Sequence, residues 1–114
     1  MIEQITPSDL PRWIAQMRAN GQEPVVLDVR EPWEWQTASV QADGFELVRM
    51  NMASIPVRLG ELPADRPIAC LCHHGGRSQQ VAHFLANQGF AAVVNLAGGI
   101  DAWSRQVDPA VPRY

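Results

Sequence analysis

The 114-residue sequence contains no lysine, only two cysteines and no long apolar run. Each absence excludes something. The nine basic residues are all arginines, scattered from Arg12 to Arg113, against twelve acidic ones. A formal charge of -3 with no basic stripe is the wrong electrostatics for a polyanion, so nucleic acid is excluded as a partner. The stretch from Phe90 to Val94 falls far short of the roughly 18 apolar residues of a membrane span, so no membrane partner is expected. Cys70 and Cys72 stand one residue apart and cannot staple a secreted domain, so reduced thiols are expected. The N-terminus, Met1-Ile2-Glu3-Gln4, has neither a basic region nor an apolar segment, and the expected compartment is the cytoplasm.

What is present is an ordinary globular composition, 46% hydrophobic and 18% charged. The length predicts one domain over residues 1–114, with a core that needs no metal or disulfide. Short apolar runs alternate with amphipathic stretches. Val25-Val26-Leu27-Asp28-Val29, Ile68-Ala69-Cys70-Leu71-Cys72 and Ala92-Val93-Val94-Asn95-Leu96 read as strands buried on both faces, the mark of a parallel sheet. Residues 2–5 and Glu46 to Met50 are candidate edge strands. Residues 8–19 place Leu10, Trp13, Ile14 and Met17 on one helical stripe, with Thr6 as expected N-cap, Pro7 at the first helical position and Asn20-Gly21 as the stop. Residues 77–88 do the same with Val81, Phe84 and Leu85, closing at Gly89, and put His83 on the solvent side. Glu31 to Thr37 and Ile100 to Gln106 read as shorter helices, Ala38 to Gly44 as loop, and Leu59 to Pro67 as a helix end and turn. The fold class is therefore α/β: a central parallel β-sheet of about five strands with helices on both faces.

The stretch Cys72-His73-His74-Gly75-Gly76-Arg77-Ser78 lies between a buried strand and an amphipathic helix. Ligands of open parallel sheets bind at the C-terminal strand ends. A cysteine there faces a helix N-terminus, where free N–H groups and the helix dipole favour an anion. The two glycines let the backbone curl so that several N–H groups converge on one centre. Cys72 is thus the candidate nucleophile, with a thiolate held by backbone N–H groups. His73, His74, Gly75, Gly76, Arg77 and Ser78 are the candidate substrate-binding residues. Arg77 either contacts an anionic donor or pairs with a nearby carboxylate. Ser78 is expected to cap the helix, with donation to the Cys72 sulfur as the alternative, and His73 and His74 line the entrance. Cys70, mid-strand, reads as a core residue.

The chain resembles the rhodanese-like sulfurtransferase family over nearly its whole length. The loop is similar to the family's Cys-x-x-Gly-x-Arg-Ser pattern, Leu27-Asp28-Val29-Arg30-Glu31 to its strand-end Asp-Val-Arg-Glu motif, and Leu96-Ala97-Gly98-Gly99-Ile100-Asp101-Ala102-Trp103 to its Gly-Gly-x-x-x-Trp signature. Gln41 to Leu47 stand where many members carry Gly-His-Ile-x-Gly-Ala. The resemblance implies a persulfide on Cys72, loaded from a small sulfur-containing anion such as thiosulfate or from a persulfide, and discharged to cyanide or a thiol, including a protein's. No cofactor or metal is implied.

Three rivals compete with this reading. Phosphatases and arsenate reductases of the same fold use a Cys-x5-Arg loop, whereas four residues separate Cys72 from Arg77, a tighter ring suited to a single sulfur. A metal site on Cys70, Cys72, His73 and His74 lacks the second ligand pair of structural zinc sites. A non-catalytic interaction module would not need the intact cysteine loop. The charged cluster Asp28, Arg30, Glu31 and Glu34 reads as an ion-pair network bracing that loop. Trp13 and Trp103 read as core, and one of Trp33 and Trp35 as exposed.

Overall fold

In the computed structural model, which describes residues 1–114, the chain runs β1 (Glu3–Ile5), α1 (Leu10–Ala19), β2 (Val25–Asp28), α2 (Pro32–Thr37), β3 (Glu46–Arg49), β4 (Ile68–Leu71), α3 (Gly76–Asn87), β5 (Val93–Leu96) and α4 (Gly99–Gln106). The strands form one sheet in the order β1-β5-β4-β2-β3, every pair parallel. The three strands read as buried on both faces, β2, β4 and β5, lie inside the sheet, and β2 and β4 are buried throughout. The two short candidates, β1 and β3, are the edges.

Strand alternation sorts the side chains into two cores. Val26, Ala69, Leu71, Val94 and Leu96 face Leu10, Trp13 and Ile14 of α1 and Ile100 and Trp103 of α4. Val25, Leu27, Ile68, Cys70 and Cys72 face Val81, Ala82 and Leu85 of α3. Complete burial of a Leu or Ile side chain stabilises by about 1.5–3 kcal/mol, so both layers hold the sheet. Because side chains alternate with a period of two, Cys70 and Cys72 share the α3 side.

The element starts differ from the sequence expectation in small, explicable ways. Thr6 precedes a 3-10 turn, Pro7–Asp9, and α1 begins only at Leu10. The Thr6 hydroxyl makes no cap to the backbone; it donates to Asp9 Oδ2 at 3.1 Å. Helices α3 and α4 each begin one residue early, on a glycine that follows a left-handed glycine cap: Gly75 at φ 109° and Gly98 at φ 82°. Despite its unusual preceding segment, β3 pairs in register with β2, Val25 opposite Glu46. Phe45, just before it, is buried and meets Trp103 edge-on at 6.1 Å. Trp33 is the exposed member of its pair, and His83 is exposed.

Candidate functional site

Cys72 follows the last residue of β4, and its side chain is 1% exposed. Its Sγ accepts the Gly75 N–H at 3.0 Å and faces the Ser78 hydroxyl at 3.3 Å. The left-handed conformation of Gly75 turns that N–H onto the sulfur, and a residue with a side chain would be strained there. A Cβ on Gly75 would also lie 3.2 Å from the Gly98 nitrogen. Ser78 does not cap α3, since Gly75 holds that position; it sits fully buried in the first turn, facing the sulfur.

The Ser78 hydroxyl has a second acceptor, Asn95 Oδ1, at 2.5 Å. One proton therefore serves two acceptors. Asn95 in turn donates to the Gly75 carbonyl at 3.2 Å and to Gln4 Oε1 at 2.8 Å. Gln4 bonds to Gln79 at the surface. This ladder from sulfur to solvent was not legible beforehand. Its one signal was an amide inside an otherwise apolar run.

Helix α4 supports the loop from the other side. Ile100 N–H donates to the Cys72 carbonyl at 2.9 Å, and Asp101 N–H to the His73 carbonyl at 3.1 Å. Two of the N–H groups that open α4 are thus satisfied by the loop and fix its backbone.

Beside the loop lies a closed charge network. Arg30 is fully buried, and all five of its side-chain N–H groups find acceptors: Asp28, the Glu34 and Ala38 carbonyls, and the Tyr114 hydroxyl. Burial works against its charge, but the Asp28 and Tyr114 hydrogen bonds outweigh it and raise its pKa. Of the two readings of Arg77, the structure shows the carboxylate one: its Nη1 and Nη2 grip Glu34 at 2.5 and 2.9 Å. Those bonds, against the opposing effect of burial, hold the Glu34 carboxyl down at about 2, and Glu34 raises the Arg77 pKa in return. Tyr114 donates to Glu34 at 2.6 Å, and burial first, then this bond, pushes its hydroxyl up to about 12. Sequence reasoning placed Glu34 in the charged cluster but missed Tyr114, which lies far away in the chain.

His73 stacks between His74 and Tyr114, each ring pair 3.9 Å apart. Burial, then His74, lowers the His73 pKa, and its Nε2 is buried without a partner. His74 is exposed and lines a shallow groove of about 540 Å³ with Gln4, Gly75, Gly76, Gln79 and Asn95. Cys70 is fully buried, and burial pushes its thiol pKa up. No three of the His, Cys, Asp and Glu side chains come together as a metal-holding group.

A family model described as Rhodanese-like domain matches residues 10–106. A sulfurtransferase of Allochromatium vinosum is 34% identical, over 86% of this chain and 88% of its own length. The Rhodanese-like/PpiC domain-containing protein 12, chloroplastic, of Arabidopsis thaliana is 37% identical over 89% of this chain, which spans only 36% of that protein. Among solved structures, a rhodanese-related protein from Thermoplasma volcanium superposes with a TM-score of 0.77 at 28% identity, covering 98% of this chain and 99% of its own.

Proposed function

The chain belongs to the rhodanese-like domain family, and from that premise we propose that it is a sulfurtransferase working through a persulfide on Cys72. The observation that carries this reading is the pair of donors on one sulfur, Gly75 N–H at 3.0 Å and Ser78 hydroxyl at 3.3 Å, at the start of α3. Both favour the thiolate as nucleophile.

In the first half-reaction the Cys72 thiolate attacks the sulfane sulfur of a donor such as thiosulfate or an organic persulfide. A new S–S bond forms to Cys72. The old S–S bond breaks, and its electron pair leaves with sulfite or with the donor's thiolate. In the second half-reaction a thiol or cyanide attacks the outer sulfur, and the electron pair of the Cys72 S–S bond returns to Cys72 Sγ. Backbone N–H groups of the Cys72–Arg77 loop stabilise the charged outer sulfur in between. Among the other loop residues, His73, His74 and Gly76 border the donor and acceptor. The reaction needs reduced thiols, which suits a cytoplasmic setting.

The test is intact mass after incubation with thiosulfate or an organic persulfide, for wild type and Cys72→Ser. We expect a gain of about 32 Da on wild type only, reversed by a reducing thiol. No gain from either donor would overturn the proposal.

A further inference from the structure

The feature that invites a further step is the pairing of the loop's arginine. Glu34 is a buried side chain whose carboxylate has its acceptor positions filled: two by Arg77, one by the Tyr114 hydroxyl, one by the Glu31 N–H at 3.0 Å. A carboxylate held from four directions cannot swing aside to release the guanidinium. Elsewhere, Arg30 is fully buried on Asp28, and Arg105 and Arg113 share the single carboxylate of Asp101. Arg49, at the end of edge strand β3, bonds only to the neutral Ser39 hydroxyl. The loop therefore offers backbone N–H groups to a sulfur, while its one arginine is neutralised by Glu34.

We infer that Glu34 determines the donor class of this site: by neutralising Arg77 it favours an organic persulfide over the thiosulfate dianion. The inference rests on the sulfurtransferase reading above. When thiosulfate gives up its sulfane sulfur, sulfite departs carrying two negative charges and gains from a free cation close by. When an organic persulfide R–S–SH does so, the new bond forms between Cys72 Sγ and the outer sulfur, the donor's own S–S bond breaks, and R–S⁻ departs with the electron pair. That leaving group carries one charge, on an apolar body. The surface bordering the Arg77–Glu34 pair suits such a body. Tyr114 stacks on His73, His73 on His74, and Trp33, 61% exposed, meets Tyr114 edge-on at 6.0 Å.

The test compares thiosulfate with 2-hydroxyethyl persulfide, whose body is uncharged, on wild type and Glu34→Gln. The expected wild-type kcat/KM for the persulfide exceeds that for thiosulfate by about tenfold or more, a ratio equivalent to the ~1.4 kcal/mol of one decade. Glu34→Gln keeps the shape and frees the Arg77 charge, so thiosulfate kcat/KM rises about tenfold while the persulfide value moves less than about threefold. A second measurement uses wild type alone. Raising salt from about 0.02 to 0.2 M leaves wild-type thiosulfate loading unchanged or faster, because Glu34 already neutralises the loop's arginine. Equal kcat/KM values for the two donors, or wild-type loading that drops steeply with salt, overturns the role of Glu34 and leaves the sulfurtransferase reading standing. Failure of both donors to load Cys72 overturns the two together.

Discussion

Gly99 packs directly onto the carbonyl oxygen of Cys72. A Cβ added there would lie closer to that oxygen than side chains come in folded proteins, and 2.5 Å from the His73 carbonyl oxygen. The residue also sits at φ 59°, in the left-handed region. The two backbones approach so closely because Ile100 and Asp101 donate into the loop from the first turn of α4. The Gly-Gly of the C-terminal signature is thus part of the wall behind Cys72.

Gly99→Ala is therefore expected to do more than lose a little stability. Both obstructing atoms are backbone, so the loop itself must shift. We expect a loss of about 2 kcal/mol or more in urea unfolding and at least a hundredfold lower rate of sulfur loading. Gly21→Ala, whose site has open space despite φ 77°, is expected to reduce stability by only about 1 kcal/mol and leave loading unchanged.

The two cysteines separate by position along one strand. Cys72→Ser should abolish sulfur transfer while changing the thermal midpoint by only a few degrees. Cys70→Ser buries a hydroxyl in the core that holds Leu27, Ile68 and Val81, with no exposed surface, so transfer persists while stability falls by about 1–3 kcal/mol. A transfer assay run beside thermal unfolding checks both. Activity lost in Cys70→Ser but kept in Cys72→Ser would reverse the two roles.

Asn95 is expected to act as a positioning residue. Asn95→Ala leaves the Gly75 carbonyl without its side-chain donor and frees the Ser78 proton for the sulfur. We expect a stability loss of about 1–3 kcal/mol and a changed rate of Cys72 alkylation at neutral pH, a readout that a purely structural role would not move. Ser78→Ala removes one of the two donors on the sulfur, and loading should slow roughly tenfold.

Acid should reveal the Glu34–Arg77 pair. The Glu34 carboxyl is held at about 2, below its ordinary 4.5, so it is a group with a depressed folded pKa. Its contribution is present above pH 4.5 and is lost as pH falls from there toward 2. The 4.5-to-2 shift sets an upper bound on the order of 3 kcal/mol. Urea midpoints measured between neutral and strongly acid pH should fall across that window in wild type and much less in Glu34→Gln. Parallel curves for the two proteins would show that this carboxylate does not carry the acid sensitivity.

Much of this protein was legible along the chain. Val25 to Asp28 and Ile68 to Leu71 announced themselves as buried strands, because a strand covered on both faces must be apolar throughout. The candidate nucleophile stood out too, because a strand end, two glycines and a helix start follow Cys72 in immediate succession. Thr6 misled, because Pro7–Asp9 forms a 3-10 turn that sets the helix start beyond its reach.

What the sequence determined by itself is everything that depends on near neighbours: periodicity, the glycine turns, and the loop that brings the Gly75 N–H onto the Cys72 sulfur. Only the tertiary structure decided what surrounds them. Glu34 reaches Arg77 across 43 positions, Tyr114 reaches Glu34 across 80, and Asn95 reaches Gln4 across 91. Such pairs leave no spacing to read, because strand order, and not chain distance, brings them together. Here β5 between β1 and β4 lays Asn95 beside both Gln4 and the Cys72 loop, and the Arg77–Glu34 ion pair joins α3 to α2.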